Sequence, residues 1–227
     1  MQALKSDDNK DTLSHQEARQ TYDRIGSLQD SQRFYEDRAT GLVLSYGEFT
    51  SAEAVFEFGC GTGRFAQKLF EEYLPESATY RGIDISPKMI RLARARLEPF
   101  SARASVLLSA GEPPVAEPDA YYDRFVSNYV FDLLSHDDIR SVLREAHRIT
   151  RPNGLLCLSG LSTGIGFVSR TVANMISRVQ SRHPALVGGC RPIDILPLLS
   201  DVDWQVQHHS KVVAFGVPSE VVVAKRC

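Results

Sequence analysis

Glu57-Phe58-Gly59-Cys60-Gly61-Thr62-Gly63 follows the apolar run Ala54-Val55-Phe56 and precedes Arg64-Phe65-Ala66-Gln67-Lys68-Leu69-Phe70. The first run predicts a buried strand and the last the opening of a helix, with the glycines turning one sharply into the other. Lacking a Cβ, glycine also lets a ligand lie against bare backbone, which suits any nucleotide-like molecule. Spacing narrows the choice. A G-x-G-x-x-G dinucleotide fingerprint starting at Gly59 or Gly61 needs a final glycine where Arg64 or Ala66 stands, although the second frame passes the G-x-G-x-x-A variant. A nicotinamide-dependent oxidoreductase stays open on this loop alone. The acid two places before Gly59 and the unbroken G-x-G-x-G weigh against it.

From Ala54 onward strand and helix patterns alternate, which predicts an α/β sheet with parallel strands. Strands are expected at Tyr80–Ile85, Ala104–Leu108, Arg124–Tyr129 and Leu155–Leu158, the last entered by a turn at Pro152-Asn153-Gly154. Helices are expected from about Arg64 to Tyr73, after Ser86-Pro87, from Ser135 to Ile149, from Phe167 to Val179 and over Ile193–Leu199. Trp204–Phe215 and Glu220–Lys225 read as a closing hairpin, a second feature that a plain dinucleotide fold does not predict. Ahead of the first strand, Ser14-His15-Gln16-Glu17 has capping-box spacing, and a second helix is expected from Ser31 to about Tyr46.

Glu57-x-Gly59-x-Gly61-x-Gly63 resembles the first motif of the class I S-adenosylmethionine-dependent methyltransferases, and the resemblance runs from about Val55 to Lys225. The layout is similar to the quinone- and small-molecule-methylating branch. The resemblance implies a Rossmann-like, doubly wound, mostly parallel seven-stranded sheet with an antiparallel C-terminal hairpin, plus N-terminal helices. It implies S-adenosyl-L-methionine as cofactor and a small-molecule methyl acceptor, with the O, N or C atom unresolved. A non-catalytic partner subunit that keeps the cofactor fold is the alternative from another class. Residues 1–12 are expected to be a disordered tail and 13–227 a single domain. Within it, 13–50 would form lid helices and 159–192 a substrate-side insertion.

Asp84, followed by Ile85, ends the second strand about twenty residues beyond the loop, where a carboxylate can accept from both hydroxyls of a ribose. Gly59, Cys60, Gly61 and Gly63 are expected against the cofactor, and the resemblance places Glu57 beneath its ammonium. Ser109-Ala110 stands where the family usually has an acid for the adenine amino group, with Glu112 nearby. Met89 is expected against the adenosine, or equally in the core. Asn128 and Tyr129 close the fourth strand, a position that the resemblance places near the transferred methyl. Tyr129-Val130-Phe131 departs from the Asn-Pro-Pro-aromatic signature of amine methylation.

His136, Asp132 and Asp137 follow Asn128 closely and are candidates for a general base, His136 reading equally as a helix-capping residue. Tyr22-Asp23 would lie over the cofactor or simply pack. Phe167, Val168, Met175 and Ile176 are expected to wall the acceptor pocket or to pack on the core. No pair of residues has metal-ligand spacing on one helix face, so no metal is expected.

The 227 residues are 43% hydrophobic and 24% charged with a formal net charge of −2, giving no electrostatic footprint for nucleic acid. Cys60, Cys157, Cys190 and Cys227 lack zinc or disulfide spacing. With no signal-like or membrane-spanning run, a soluble cytoplasmic protein is expected.

Overall fold

The computed structural model describes residues 14–26, 33–111, 113–182 and 189–227. The expected tail at 1–12, residues 13 and 27–32 of the expected lid, Glu112, and 183–188 of the expected insertion lie outside them. Seven strands form one sheet in the order β3-β2-β1-β4-β5-β7-β6. They are β1 (Ala54–Phe58), β2 (Thr79–Asp84), β3 (Ala104–Leu108), β4 (Tyr122–Asn128), β5 (Thr150–Leu161), β6 (Trp204–Ala214) and β7 (Val217–Arg226). The first five run parallel, and β7 inserts antiparallel between β5 and β6. The α/β class and the antiparallel closing hairpin are as the sequence pattern predicts.

Both faces are covered. On one side α2 (Arg33–Tyr46), α3 (Arg64–Glu72) and α4 (Pro87–Arg96) bury Val43, Leu69, Phe70 and Ile90 against Val55, Val126 and Val223. On the other, α5 (His136–Ile149) buries Ile139, Leu143 and Ile149 against Phe56, Phe125 and Val222. Val221 and Val223 face one core while Val222 and Ala224 face the other, the period-two signature of a strand buried on both sides. Truncating one such leucine to alanine costs about 2–5 kcal/mol.

Three local expectations need correction. The Pro152-Asn153-Gly154 turn is instead a bulge within β5. Tyr122 pairs with Thr150 and Arg124 with Leu155, and Asn153 takes φ +67 where the extra residues loop out. The helix expected over Ile193–Leu199 would put Pro197 in its interior, where it cannot donate; the chain forms instead a 3₁₀ segment, Leu196–Asp201, with Pro197 in the first turn. The closing hairpin turns on Phe215-Gly216, at φ +53 and +83, a residue earlier than the expected Gly216-Val217-Pro218.

The N-terminal α1 (His15–Ile25) starts with the expected box: Ser14 Oγ accepts from Glu17 N, and the Glu17 carboxylate accepts from Ser14 N at 2.9 Å. Asp23 then ties α1 to the start of α4, accepting from Ser86 Oγ at 2.6 Å and Lys88 N at 3.3 Å. At its far end α2 is held by buried Arg124. Its Nε donates to Gly47 O at 2.6 Å, and its Nη2 donates to Glu48 O at 2.8 Å. These ties hold α1 against α4, and α2 against the sheet with its Glu36–Leu44 face on the cavity.

Candidate functional site

Strand order reverses between β1 and β4, and a cavity of about 310 Å³ opens there, at the carboxyl ends of β1 to β4. The glycine loop is pinned to β2: Gly59 N and Cys60 N both donate to Ile83 O, at 2.8 and 2.9 Å. Gly61 N donates to Asp84 Oδ2 at 2.9 Å, and Ser86 N to Asp84 Oδ1 at 2.9 Å. Each carboxylate oxygen therefore keeps a lone pair for a ligand. Burial raises the Asp84 pKa, and these backbone donors pull it back.

The three glycines serve different ends. All have positive φ, but a Cβ on Gly61 would meet nothing within 4 Å, whereas one on Gly59 would strike Val130 Cγ2 at 2.3 Å. A Cβ on Gly63 would press Ala93 Cα and Cβ at 3.1 Å, so this glycine lets α3 and α4 approach; it does not line the cavity. Of the expected close approaches to a ligand, Gly61 alone leaves room. Ala110 also lies outside the cavity and is exposed, while Ser109 lines it and accepts from Gly111 N at 3.0 Å. Ile85 and Met89 line it too, Met89 being almost wholly buried.

Glu57 lies in the floor, 2% exposed, and its carboxylate accepts from the Tyr80 hydroxyl at 2.5 Å. Burial pushes its pKa up to about 8, against the pull of Tyr80 and the nearby Asn128 amide. Asn128 Oδ1 accepts from Ser159 Oγ at 2.7 Å, whereas its buried Nδ2 has no hydrogen-bond partner of good geometry. Tyr129, at φ +55, also lines the cavity, its hydroxyl 2.9 Å from Ser219 Oγ. A bulky residue in that conformation is strained, and such strain gathers at ligand sites.

The roof comes from the N-terminal helices. Ala18 and Tyr22 descend from α1; Glu36, Asp37, Thr40, Gly41 and Leu44 form one face of α2. Across the mouth, Arg64 of α3 pairs with Asp37 at 2.5 Å and Glu36 at 3.4 Å. The sequence reading expects N-terminal lid helices and the exit of β4 at the site but singles out neither these α2 residues nor Val130, Leu133 and Leu134, which line the cavity beyond β4. The spacing Glu36, Thr40, Leu44 was the available signal.

His136 opens α5 and does not line the cavity. Asp132 is the more interesting of the expected bases. It is fully buried, neither carboxylate oxygen has a hydrogen-bond partner of good geometry, and burial pushes its pKa up to about 7. The Cys190 thiol beside it favours its charged form and also interacts with the Tyr22 hydroxyl, whose pKa is raised by burial and by Cys190, Asp132 and Asp84.

The expected wall of Phe167, Val168, Met175 and Ile176 is not there. These residues belong to α6 (Phe167–Arg182), none lines the cavity, and Phe167 is 88% exposed. The helix docks through Ser169, Ala173 and Gln180 with Ile176 half-buried, which leaves Phe167, Val168 and Met175 outward. Among the described residues no group of His, Cys, Asp and Glu could hold a metal ion, and no helix is long and apolar enough to cross a membrane.

Residues 55–154 match the family of methyltransferase domains. A demethylmenaquinone methyltransferase from Tropheryma whipplei (strain Twist) is 30% identical over 177 residues, 73% of this chain and 68% of that protein. A malonyl-[acyl-carrier protein] O-methyltransferase from Serratia marcescens is 28% identical over 154 residues, 68% of this chain and 56% of that protein, so the chain spans little more than half of that relative. Among solved structures, the [4+2]-cyclase SpnF superposes with a TM-score of 0.72 at 14% identity, covering 95% of this chain and 97% of that one. A SAM dependent methyltransferase from Aquifex aeolicus gives 0.65 at 18% identity, covering 91% and 98%. At such identities the two structures speak for the fold alone.

Proposed function

This chain belongs to the class I S-adenosylmethionine-dependent methyltransferases, and from that premise we propose that it methylates a small, apolar, aromatic acceptor of the quinol kind. The observation that carries the reading is the open space at Gly61, whose amide is locked to the Asp84 carboxylate within the cavity. The residues fit S-adenosyl-L-methionine. Asp84 offers two lone pairs to a ribose, and Gly61 offers bare backbone to the amino-acid tail. Glu57 is a buried carboxyl with no cation of its own among its hydrogen-bond partners, suited to an ammonium. Ile85 and Met89 would flank the adenosine, and Ser109 would meet the adenine edge.

When bound, the cofactor supplies a methyl group already activated on a sulfonium. This chain's residues then have to orient the acceptor and exclude water, a contribution of roughly 7–11 kcal/mol in favourable cases. Tyr22, Tyr129, Val130, Leu133 and Leu134 line the cavity with rings and alkyl groups, which supports an aromatic acceptor. Asp132 would be the terminal acceptor of the proton such a substrate loses. As Tyr22 Oη takes that proton, its own passes to Cys190, and the Cys190 proton passes to Asp132. A cytoplasmic setting accords with four unpaired cysteines, three of them buried.

Calorimetric titration with S-adenosylhomocysteine tests the site, and absence of binding at millimolar concentration would overturn the reading. Labelled cofactor offered with a reduced naphthoquinone or with a malonyl-acyl carrier protein tests the acceptor. Label in the quinol supports the proposal. Label in the carrier-protein ester moves it to the other relative's substrate class, and label in neither favours the non-catalytic reading.

A further inference from the structure

The protein covers the apolar face of α6 only in part. Val168, Val172, Met175, Ile176 and Val179 fall on one stripe at i, i+4, i+7, i+8 and i+11, yet the buried residues Ser169, Ala173 and Gln180 lie on the neighbouring face. Val168 is 69% and Met175 59% exposed. A helix normally buries its apolar stripe, yet here Val172, Ile176 and Val179 are half-buried and Val168 and Met175 stand outside, leaving one edge of the stripe for something beyond the chain. The stripe continues onto the hairpin tip, where the Cβ position of Gly216 is 3.6 Å from Val172 Cγ2 and Phe215 is 82% exposed.

From that tip a line of rings leads inward. Phe215 meets Phe34 at 5.5 Å between centroids, Phe34 meets Tyr35 at 5.1 Å, and Tyr35 meets Tyr129 at 5.8 Å, edge-on in each case. Tyr129 lines the cavity. The outward surface and the site are thus joined by aromatic contacts.

Charge selects the occupant. Over its sixteen residues α6 carries Arg170, Arg178 and Arg182, all exposed, and no acid, in a chain whose net charge is −2. Arg178 and Arg182 follow the stripe on the helix wheel. Two copies meeting through this face would bring like charges together. An apolar stripe edged by arginines suits an anionic bilayer, with the rings in the acyl boundary and the guanidinium groups at the phosphates.

We propose that α6 and the β6–β7 hairpin tip form a docking surface for an anionic lipid bilayer. Docking there would present a membrane-held apolar acceptor to the cavity along the Phe215–Phe34–Tyr35–Tyr129 line. The inference rests on the quinol reading for its purpose, but its test does not.

The test is flotation of the full chain with phosphatidylcholine vesicles, with and without phosphatidylglycerol, while S-adenosylhomocysteine binding is measured on the same preparations. The expected result is binding to the anionic vesicles that weakens with salt. It should fall about tenfold or more in Arg178→Glu/Arg182→Glu, at about a kcal/mol per basic residue. Val168→Ser/Met175→Ser and Phe215→Ser should fall similarly with unchanged melting curves, since these side chains are already exposed. No vesicle binding, or binding indifferent to all three variants, overturns the surface. So does a concentration-dependent dimer that Val168→Ser/Met175→Ser dissolves, since the face would then belong to a second copy. Intact S-adenosylhomocysteine binding in those cases leaves the site reading standing, whereas its loss in the unaltered protein strikes that reading alone.

Discussion

The Tyr80 hydroxyl donates a 2.5 Å hydrogen bond to the Glu57 carboxyl beneath the cavity, joining β2 to β1 through a group whose pKa stands near 8. The folded state therefore holds a proton on Glu57 that the unfolded chain releases near 4.5. Because the native state binds more protons over that window, the contribution of this group to stability falls as pH rises from about 4.5 to 8. A ligand ammonium favours the ionised form. S-adenosylhomocysteine binding at pH 7 should thus release protons, and its affinity should climb toward pH 8. Calorimetry in buffers of different ionisation enthalpy measures the release, which Glu57→Gln should abolish.

Substitution should separate the glycines. Gly61→Val should lower S-adenosylhomocysteine affinity by at least about tenfold, with at most about 1–2 kcal/mol of strain from φ +53. Gly63→Ala, facing Ala93 at φ +76, should instead cost stability, about 1–3 kcal/mol in urea unfolding, with ligand affinity in the folded protein little changed. Equal effects of the two changes on binding would contradict the division of labour.

Asp84→Asn keeps one acceptor oxygen but loses the charge, and its amide cannot accept from both Gly61 N and Ser86 N. Hydrogen bonds to a charged group contribute about 1.5–3 kcal/mol, so affinity for S-adenosylhomocysteine should drop about 10- to 100-fold. An unchanged dissociation constant would place the ribose elsewhere.

Asp132→Asn should leave cofactor affinity intact and lower kcat by about 10²- to 10⁴-fold. In the unaltered protein the rate should rise through about pH 7 as Asp132 ionises, and the variant should lose that limb. Tyr22→Phe should reproduce the loss by interrupting the route to Cys190. A pH profile shared by all three proteins would remove Asp132 from proton transfer.

The sheet was legible because its signals are local. A glycine turn after Ala54–Phe58, Ser86-Pro87 ahead of α4, and Ser135 ahead of α5 each declare a boundary in a few residues. Asp84 was legible by its distance from that turn, and Glu57 by the resemblance of the motif that it opens. A helical lid over 13–50 was expected, but not its side chains, since only tertiary packing decides that Thr40 and Leu44 look into the cavity. Asp132 was one acid among several near β4 until burial singled it out. The α6 stripe misled for a related reason: helical periodicity reveals an apolar face but not whether the partner is the protein's own core.

Buried Arg124 clasps the carbonyls of Gly47 and Glu48 at the back end of α2, while the front end rests on the exposed contact of Phe34 with Phe215. Along the helix between them, Arg38 Nη1 reaches Val213 O at 2.9 Å across the surface. Ala39 and Val43 in the middle of the helix are sunk in the core, so a disturbance that parts the two phenylalanines would reach first the exposed front turn, where Glu36 and Asp37 meet Arg64 at the mouth.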